Sequence, residues 1–325
     1  MKTNTSEEIR KFIEEKDQVS AKEIVSFFEI SKQAVFKHLK NLLQEGKIKK
    51  IGSPPRVFYS AADRKHKEIK YLPPKKIEDF IEKRFFDITL GGEIETGWQG
   101  FAEWCLKRNW DLKKSAEDYF KILSKYDKIR KDGLIDGTKK MRSSFPQVCL
   151  DNIFYIDLYD VEKFGKTRLG KALLYAKQGQ DRKAMKEIFL EAGPYIQKLV
   201  KKHRIDAVAF IPPAVKRERQ FMKELENSLN IDIPKISVDK VKTRIVVPQK
   251  TLSRLGERVE NAKTTFFIRE GKKYKNILLI DDAVGSGATF NEIAFKLRKK
   301  GIAKGKIIGL AIVGTLKGFD VISEV

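Results

Sequence analysis

Apolar residues in the first sixty positions recur at helical spacing, interrupted by polar turns. Ile9, Phe12 and Ile13 share one side of a helix predicted over Ser6 to Asp17, and Glu7 and Glu8 in its first turn complement the helix dipole. Ser20 is placed to cap a second helix over Ala21 to Phe28. Ser31 does the same for a third over Lys32 to Glu45, which turns Val35, Leu39, Leu42 and Leu43 inward and Lys32, Gln33, Lys37 and Lys40 outward before Gly46 stops it. The period then changes to two. Lys47 to Ile51 and Arg56 to Ser60 read as short strands around the turn Gly52-Ser53-Pro54-Pro55.

Tyr71-Leu72-Pro73-Pro74-Lys75-Lys76 marks a boundary, because paired prolines cannot continue a helix. From Ile77 to Lys131 the spacing is again helical, with Trp98, Phe101, Trp104 and Trp110 concentrated in one stretch that suits a core or interface better than a base-stacking platform. Beyond it, strands are predicted at Asn152 to Leu158, Asp206 to Ile211, Ile233 to Val241, Thr264 to Ile268, Ile277 to Ile280 and Ile307 to Val313. Helical stretches at Gly165 to Gln178, Arg182 to His203, up to about Asn230, and Phe290 to Lys300 alternate with them. That alternation predicts an α/β fold with a parallel sheet whose ligands sit at the carboxyl ends of its strands. The chain divides into residues 1–65, a linker and mainly helical middle region over 66–150, and an α/β unit over 151–325.

With 325 residues, 41% of them hydrophobic, the chain can build more than one core, which excludes wholesale disorder. No apolar run reaches the roughly 20 residues that span a bilayer, and the amino terminus lacks a signal-peptide core, so a cytoplasmic protein with no membrane partner is expected. Cys105 and Cys149 have apolar neighbours and no metal-type spacing, and they read as reduced, at least half-buried thiols. The net charge of +23 attracts polyanions, nucleic acid among them.

The most informative segment is Ile277-Leu278-Leu279-Ile280-Asp281-Asp282 followed by Ala283-Val284-Gly285-Ser286-Gly287-Ala288-Thr289. Four apolar residues suit a strand buried on both faces. Two carboxylates at its end accept hydrogen bonds from vicinal hydroxyls, and the glycines let a turn into the next helix present backbone N–H groups to an anion. The segment resembles the phosphoribosyl-pyrophosphate (PRPP) loop of type I phosphoribosyltransferases, with Ser286 where that family usually has threonine. The resemblance implies that Asp281 and Asp282 hold the ribose hydroxyls, while the main chain from Ala283 to Thr289 and the Ser286 and Thr289 hydroxyls bind the 5′-phosphate.

The family's diphosphate loop follows its first core strand. In that order here stands Pro212 to Arg219, making Lys216, Arg217 and Arg219 its candidates. Pro248-Gln249, Leu252-Ser253-Arg254, Arg258, Asn261 and Phe266 are similar in order to the flexible loop of the ComF-like branch, and Arg217-Glu218-Arg219-Gln220-Phe221 to its Arg-rich turn. Arg254 and Arg258 are the loop's cations, within a mobile segment expected over Thr243 to Lys263. Two features depart from that branch: Gln220 replaces a usual glycine, and no Cys-rich ribbon precedes the fold. The resemblance implies Mg²⁺ as a cofactor, with no protein ligand assigned to it.

Residues 1–65 resemble a winged helix-turn-helix domain, with Ser31, Lys32, Gln33 and Lys37 facing a DNA major groove and Lys49, Lys50 and Arg56 touching phosphates. Taken together, the resemblances imply a homodimeric, PRPP-binding transferase that passes phosphoribosyl to a nitrogen acceptor and releases pyrophosphate. Two alternatives stay open: a non-catalytic PRPP-sensing transcriptional regulator, and a nucleotide-consuming effector of a bacterial defence or toxin system that docks on nucleic acid or a partner protein.

Overall fold

The computed structural model describes residues 5–62, 69, 71–89, 91–213, 215, 217–229, 231–241, 252 and 254–316. Helices α1 (Thr5–Lys16), α2 (Ala21–Phe28) and α3 (Lys32–Gln44) pack on a small antiparallel sheet formed by β1 (Val19–Ser20), β2 (Ile48–Ser53) and β3 (Arg56–Ala61), in the order β1-β3-β2. Their caps follow from residue type. Ser20 and Glu23 form a reciprocal capping box on α2, and Ser31 Oγ accepts from the Ala34 N–H at 3.2 Å to start α3. Ile9, Ile13, Ile24, Val35, Leu39 and Leu42 make the core of this unit.

The middle region holds α4 (Lys75–Arg84), a hairpin of β4 (Phe86–Ile88) and β5 (Ile94–Thr96), α5 (Gly97–Lys107) and α6 (Leu112–Asp127). The reading of this region as mainly helical does not include that hairpin, which alternation in Phe86-Asp87-Ile88 and Ile94-Glu95-Thr96 supports. Trp98, Phe101 and Trp104 are buried in this layer, and Trp110 packs against them.

Strands β6 (Arg130–Lys131) and β7 (Leu134–Asp136) then join the main sheet, followed by α7 (Thr138–Ser144) and β8 (Asn152–Leu158). The sheet therefore starts earlier in the chain than residue 151. Two short strands, β9 (Asp160–Val161) and β10 (Gly165–Lys166), precede α8 (Arg168–Gln178) and α9 (Arg182–His203). Helix α8 starts after Thr167, whose Oγ1 accepts from the Gly170 N–H at 3.0 Å, and not at Gly165 as the spacing predicted. Next come β11 (Ala207–Phe210), α10 (Phe221–Ser228), β12 (Ser237–Lys240), α11 (Leu255–Thr265), β13 (Phe266–Arg269), β14 (Ile277–Val284), α12 (Ala288–Lys299) and β15 (Ile307–Gly314).

The sheet runs β11-β14-β15-β8-β7-β6, with the first four strands parallel and the last two antiparallel at one edge. Apolar side chains of α8, α9 and α10 cover one face, and those of α7, α11 and α12 cover the other. Of the predicted strand Ile233 to Val241 only β12 forms, paired antiparallel with β13 outside this sheet.

One topological feature positions the site. From β11 the chain passes through α10 to Pro234 to Ile236, which run parallel along the outer edge of β11: Val208 N–H donates to the Pro234 carbonyl at 2.9 Å, and Ile236 N–H to the Val208 carbonyl at 2.8 Å. From β14 it passes through α12, on the other face, to β15 on the opposite side. The connections diverge between β11 and β14, and a crevice opens outside their carboxyl ends. No helix among the described residues is long and apolar enough to cross a membrane.

Candidate functional site

Strand β14 outruns β11. The last rung between them joins Phe210 to Ile280, whereas β14 stays paired to β15 as far as Val284 with Gly314. The motif strand thus does not end at Ile280 as predicted, since continued pairing with β15 carries Asp281 and Asp282 within it. Adjacent residues of a strand face opposite ways. Asp282 points to the α8 side, where its Oδ2 accepts from Lys177 Nζ at 2.6 Å with both groups buried. Asp281 belongs to the side of Lys240 and Phe266, and its Oδ1 accepts the Asp282 N–H at 2.8 Å.

Both acids still reach one cavity of about 170 Å³, because β11 stops short and leaves that edge open. A single water needs only about 10–15 Å³ measured in this way, so the space admits a polyatomic ligand. The cavity wall includes Asp281, Asp282 and every residue from Ala283 to Thr289, together with Arg217, Lys177, Lys240 and Arg258. Burial, then the neighbouring Asp282 charge, holds the Asp281 carboxyl well above the usual carboxylate range, against the pull of the Asp282 N–H, Lys177 and Lys240. Burial likewise lowers the Lys240 ammonium, opposed by Asp281, and lowers the Arg258 guanidinium.

The turn between β14 and α12 is held from outside the motif. Lys140 Nζ of α7 donates to the Gly285 carbonyl at 3.0 Å and to the Thr315 carbonyl at 2.7 Å. Gly287, the cap of α12, has φ +85°, and a Cβ there would lie 2.5 Å from Met141 Sδ. Only glycine satisfies both conditions. Ser286 Oγ accepts the Ala288 N–H at 3.3 Å, so the motif hydroxyl helps shape its own turn. The amino end of α12 then opens on the cavity, where N–H groups and the helix dipole favour an anion.

The other predicted residues divide. Arg217 lines the cavity, whereas Arg219 braces the turn between α8 and α9, its N–H donating to Gln180 Oε1 at 2.8 Å and its Nη1 to the Gln180 carbonyl at 3.2 Å. Lys216 lies outside the described residues, as do residues 243–251 and 253 of the expected mobile loop. The remainder of that loop is helical from Leu255 to Thr265, because Leu255, Val259 and Ala262 pack onto the sheet. Within it Arg258 is only 3% exposed and donates Nε to the Leu252 carbonyl at 2.9 Å, while Arg254 is exposed at the helix start. Lys177, Lys240 and Lys140 were not anticipated. A signal existed for Lys177, which falls on the apolar stripe of α8 beside Leu169, Leu173 and Ala176.

No group of three or more His, Cys, Asp or Glu side chains able to hold a metal ion occurs among the described residues. Cys105 and Cys149 are both free and buried, in different cores.

On the amino-terminal unit, Ser31, Lys32, Gln33, Lys37 and Lys40 are exposed along one side of α3. Arg56 is exposed at the turn between β2 and β3. Lys49 and Lys50 line a cleft shared with Asp87, Glu93 and Glu95 of the β4–β5 hairpin, which sets acidic groups beside two of the predicted phosphate contacts.

Compared with known proteins, the chain matches no family model and no curated protein.

Proposed function

We propose that the crevice between β11 and β14 binds PRPP and that the chain transfers phosphoribosyl to a nitrogen acceptor, as a type I phosphoribosyltransferase-like protein of the ComF-like kind. The observation carrying this reading is the convergence of Asp281, Asp282, the main chain of residues 283–289 and Arg217 on one cavity at the switch in strand order. In the reaction the C1′–O bond to pyrophosphate breaks with its electron pair leaving on the diphosphate. An acceptor nitrogen supplies the pair for the new C1′–N bond and gives up its proton. Arg217 offsets charge on the departing diphosphate, the amino end of α12 holds the 5′-phosphate, and the acids accept the sugar hydroxyls.

Asp282 already carries the Lys177 ammonium, so its remaining lone pairs are those available to a sugar hydroxyl. The donor set also fits Mg²⁺, which characteristically takes one or two carboxylates and substrate phosphate oxygens in place of a protein cage. Asp281 is the carboxyl that would help hold it. When bound, Mg²⁺ supplies charge neutralisation for pyrophosphate departure.

The exposed row Ser31, Lys32, Gln33 and Lys37 supports a second reading, in which a winged helix binds duplex DNA and PRPP occupancy tunes that binding without turnover. One experiment separates the two. Incubating the protein with PRPP, Mg²⁺ and a panel of bases, nucleotides and small amines is expected to release pyrophosphate with at least one acceptor. PRPP binding without release, together with a PRPP-dependent change in DNA affinity, would select the regulator. No PRPP binding would overturn both readings.

A further inference from the structure

Helix α7 holds the turn after β14 from behind. Lys140 Nζ donates to the carbonyls of Gly285 and Thr315, at 3.0 and 2.7 Å, and these are the residues that immediately follow β14 and β15. Gly285 and Ser286 line the crevice, and Lys140 does not. The ammonium therefore acts on the side of the main chain away from the cavity. The adjacent Met141 lies where a side chain at Gly287 would have to go, so consecutive residues of α7 back the turn at both its ends.

A trans peptide unit is planar, with its C=O and N–H pointing opposite ways. Two consecutive units of the turn are fixed by their carbonyls. The Val284 carbonyl accepts the Thr315 N–H at 3.2 Å, which continues the pairing with β15 and turns the Gly285 N–H to the other side of β14. On that side β11 has already stopped at Phe210, so this N–H faces the open edge of the crevice. The Gly285 carbonyl is drawn to Lys140, which turns the Ser286 N–H away from α7 and toward the cavity that Ser286 lines. The first unit is held by the sheet. The second lies beyond the last rung, and Gly285 has no Cβ to resist its rotation, so its direction depends on the lysine.

We propose that Lys140 is a positioning residue for the phosphate of the crevice ligand: by holding the Gly285 carbonyl it aims the Ser286 N–H at a phosphomonoester seated between that turn and the amino end of α12. A donor fixed beforehand needs no reorganisation when the anion arrives, and the ammonium adds positive charge behind the turn. The inference rests on the reading of the crevice as a sugar-phosphate site. It concerns the phosphate end of the ligand and leaves the roles of Asp281, Asp282 and Arg217 as they are.

Ribose 5-phosphate is the probe, because it carries the phosphate and the sugar hydroxyls without the diphosphate. Calorimetry on the full chain compares the wild type with Lys140→Met, which removes the donor, and Lys140→Arg, which keeps one. Lys140→Met should bind at least about tenfold more weakly, and Lys140→Arg within about threefold of the wild type. In amide NMR of the wild type, ribose 5-phosphate should move the Ser286 N–H proton downfield, a response that Lys140→Met should lose even at saturating ligand. A lysine that only supported the fold would leave that response intact in any variant that folds. Equal affinity of Lys140→Met and wild type, a loss in Lys140→Arg as large as in Lys140→Met, a Ser286 resonance that the bound ligand does not move, or binding of PRPP but not of millimolar ribose 5-phosphate would each overturn the role of Lys140. The wild-type resonance and the arginine variant keep the test decisive if Lys140→Met does not fold. A wild-type protein that binds neither ribose 5-phosphate nor PRPP would overturn the reading of the crevice itself, and this inference with it.

Discussion

Replacing Lys177 with methionine keeps the length of the side chain and removes its charge, leaving Asp282 buried beside Asp281 with no ammonium in contact. The Nζ–Oδ2 separation is 2.6 Å, and the two side chains are only 8% and 11% exposed, so solvent screens the pair little. At an effective permittivity of about 20 the gross attraction at that distance is about 6 kcal/mol, much of it offset by desolvation. Removing one partner of such a pair costs about 3–5 kcal/mol, a large part of a total stability of about 5–15 kcal/mol. Asp282→Asn should cost a similar amount by stranding the lysine. The double variant Lys177→Met/Asp282→Asn removes both charges and should lose much less than the sum. Urea unfolding of all four proteins yields the coupling energy directly. A coupling below about 1 kcal/mol, the range of exposed pairs, would refute the claim that these residues form a buried ion pair across the crevice wall.

Gly287→Ala should destabilise the fold by about 2–5 kcal/mol, combining left-handed backbone strain with overpacking against Met141, and a loss under about 1 kcal/mol in urea unfolding would contradict the geometry. Asp281 has a raised folded pKa, so its contribution is present below the unfolded carboxyl value of about 4 and lost as pH rises through the folded value. Accordingly, the stability of Asp281→Asn relative to the wild type in chelator-treated buffer should grow as pH rises above the unfolded carboxyl value of about 4, and an advantage that shrinks with pH would count against that environment. Burial pushes the Cys105 thiol up from 9 to about 11, which cuts its thiolate fraction at pH 8 about a hundredfold; iodoacetamide should label it slowly in the native protein and readily in urea. For the amino-terminal unit, duplex DNA binding should weaken steeply with salt and fall on joint replacement of Lys32, Gln33 and Lys37 by alanine, whereas unaltered affinity in that variant would remove α3 as the reading helix.

The crevice was legible because its key residues are contiguous. Four apolar residues, two acids and a glycine turn announce strand, carboxyl end and helix start within one short stretch, and α12 begins at Ala288 next to that turn. What escaped depends on contacts distant in sequence. Pairing with β15 extends β14 to Val284 and divides the acids between two faces, and no local pattern encodes that. Lys177 meets Asp282 across 105 positions of chain. Residues 134–136 form a strand too short for periodicity to mark. Helix α11 is a different case: Leu255, Val259 and Ala262 are spaced for a helix, a local signal that likeness to a mobile loop does not carry. The β4–β5 hairpin was likewise written in its alternation and in Gly91-Gly92, and was hidden by the stronger helical signal on either side.

The clamp from α7 bears on modularity. Lys140 and Met141 support the turn after Val284 from a segment that precedes β8, and β7 pairs along the outer side of β8 in the same sheet. The crevice-forming portion is therefore not a detachable carboxyl-terminal half: a chain cut at residue 151 would forfeit the brace beneath the turn that leads into α12, and excision has to begin ahead of Arg130.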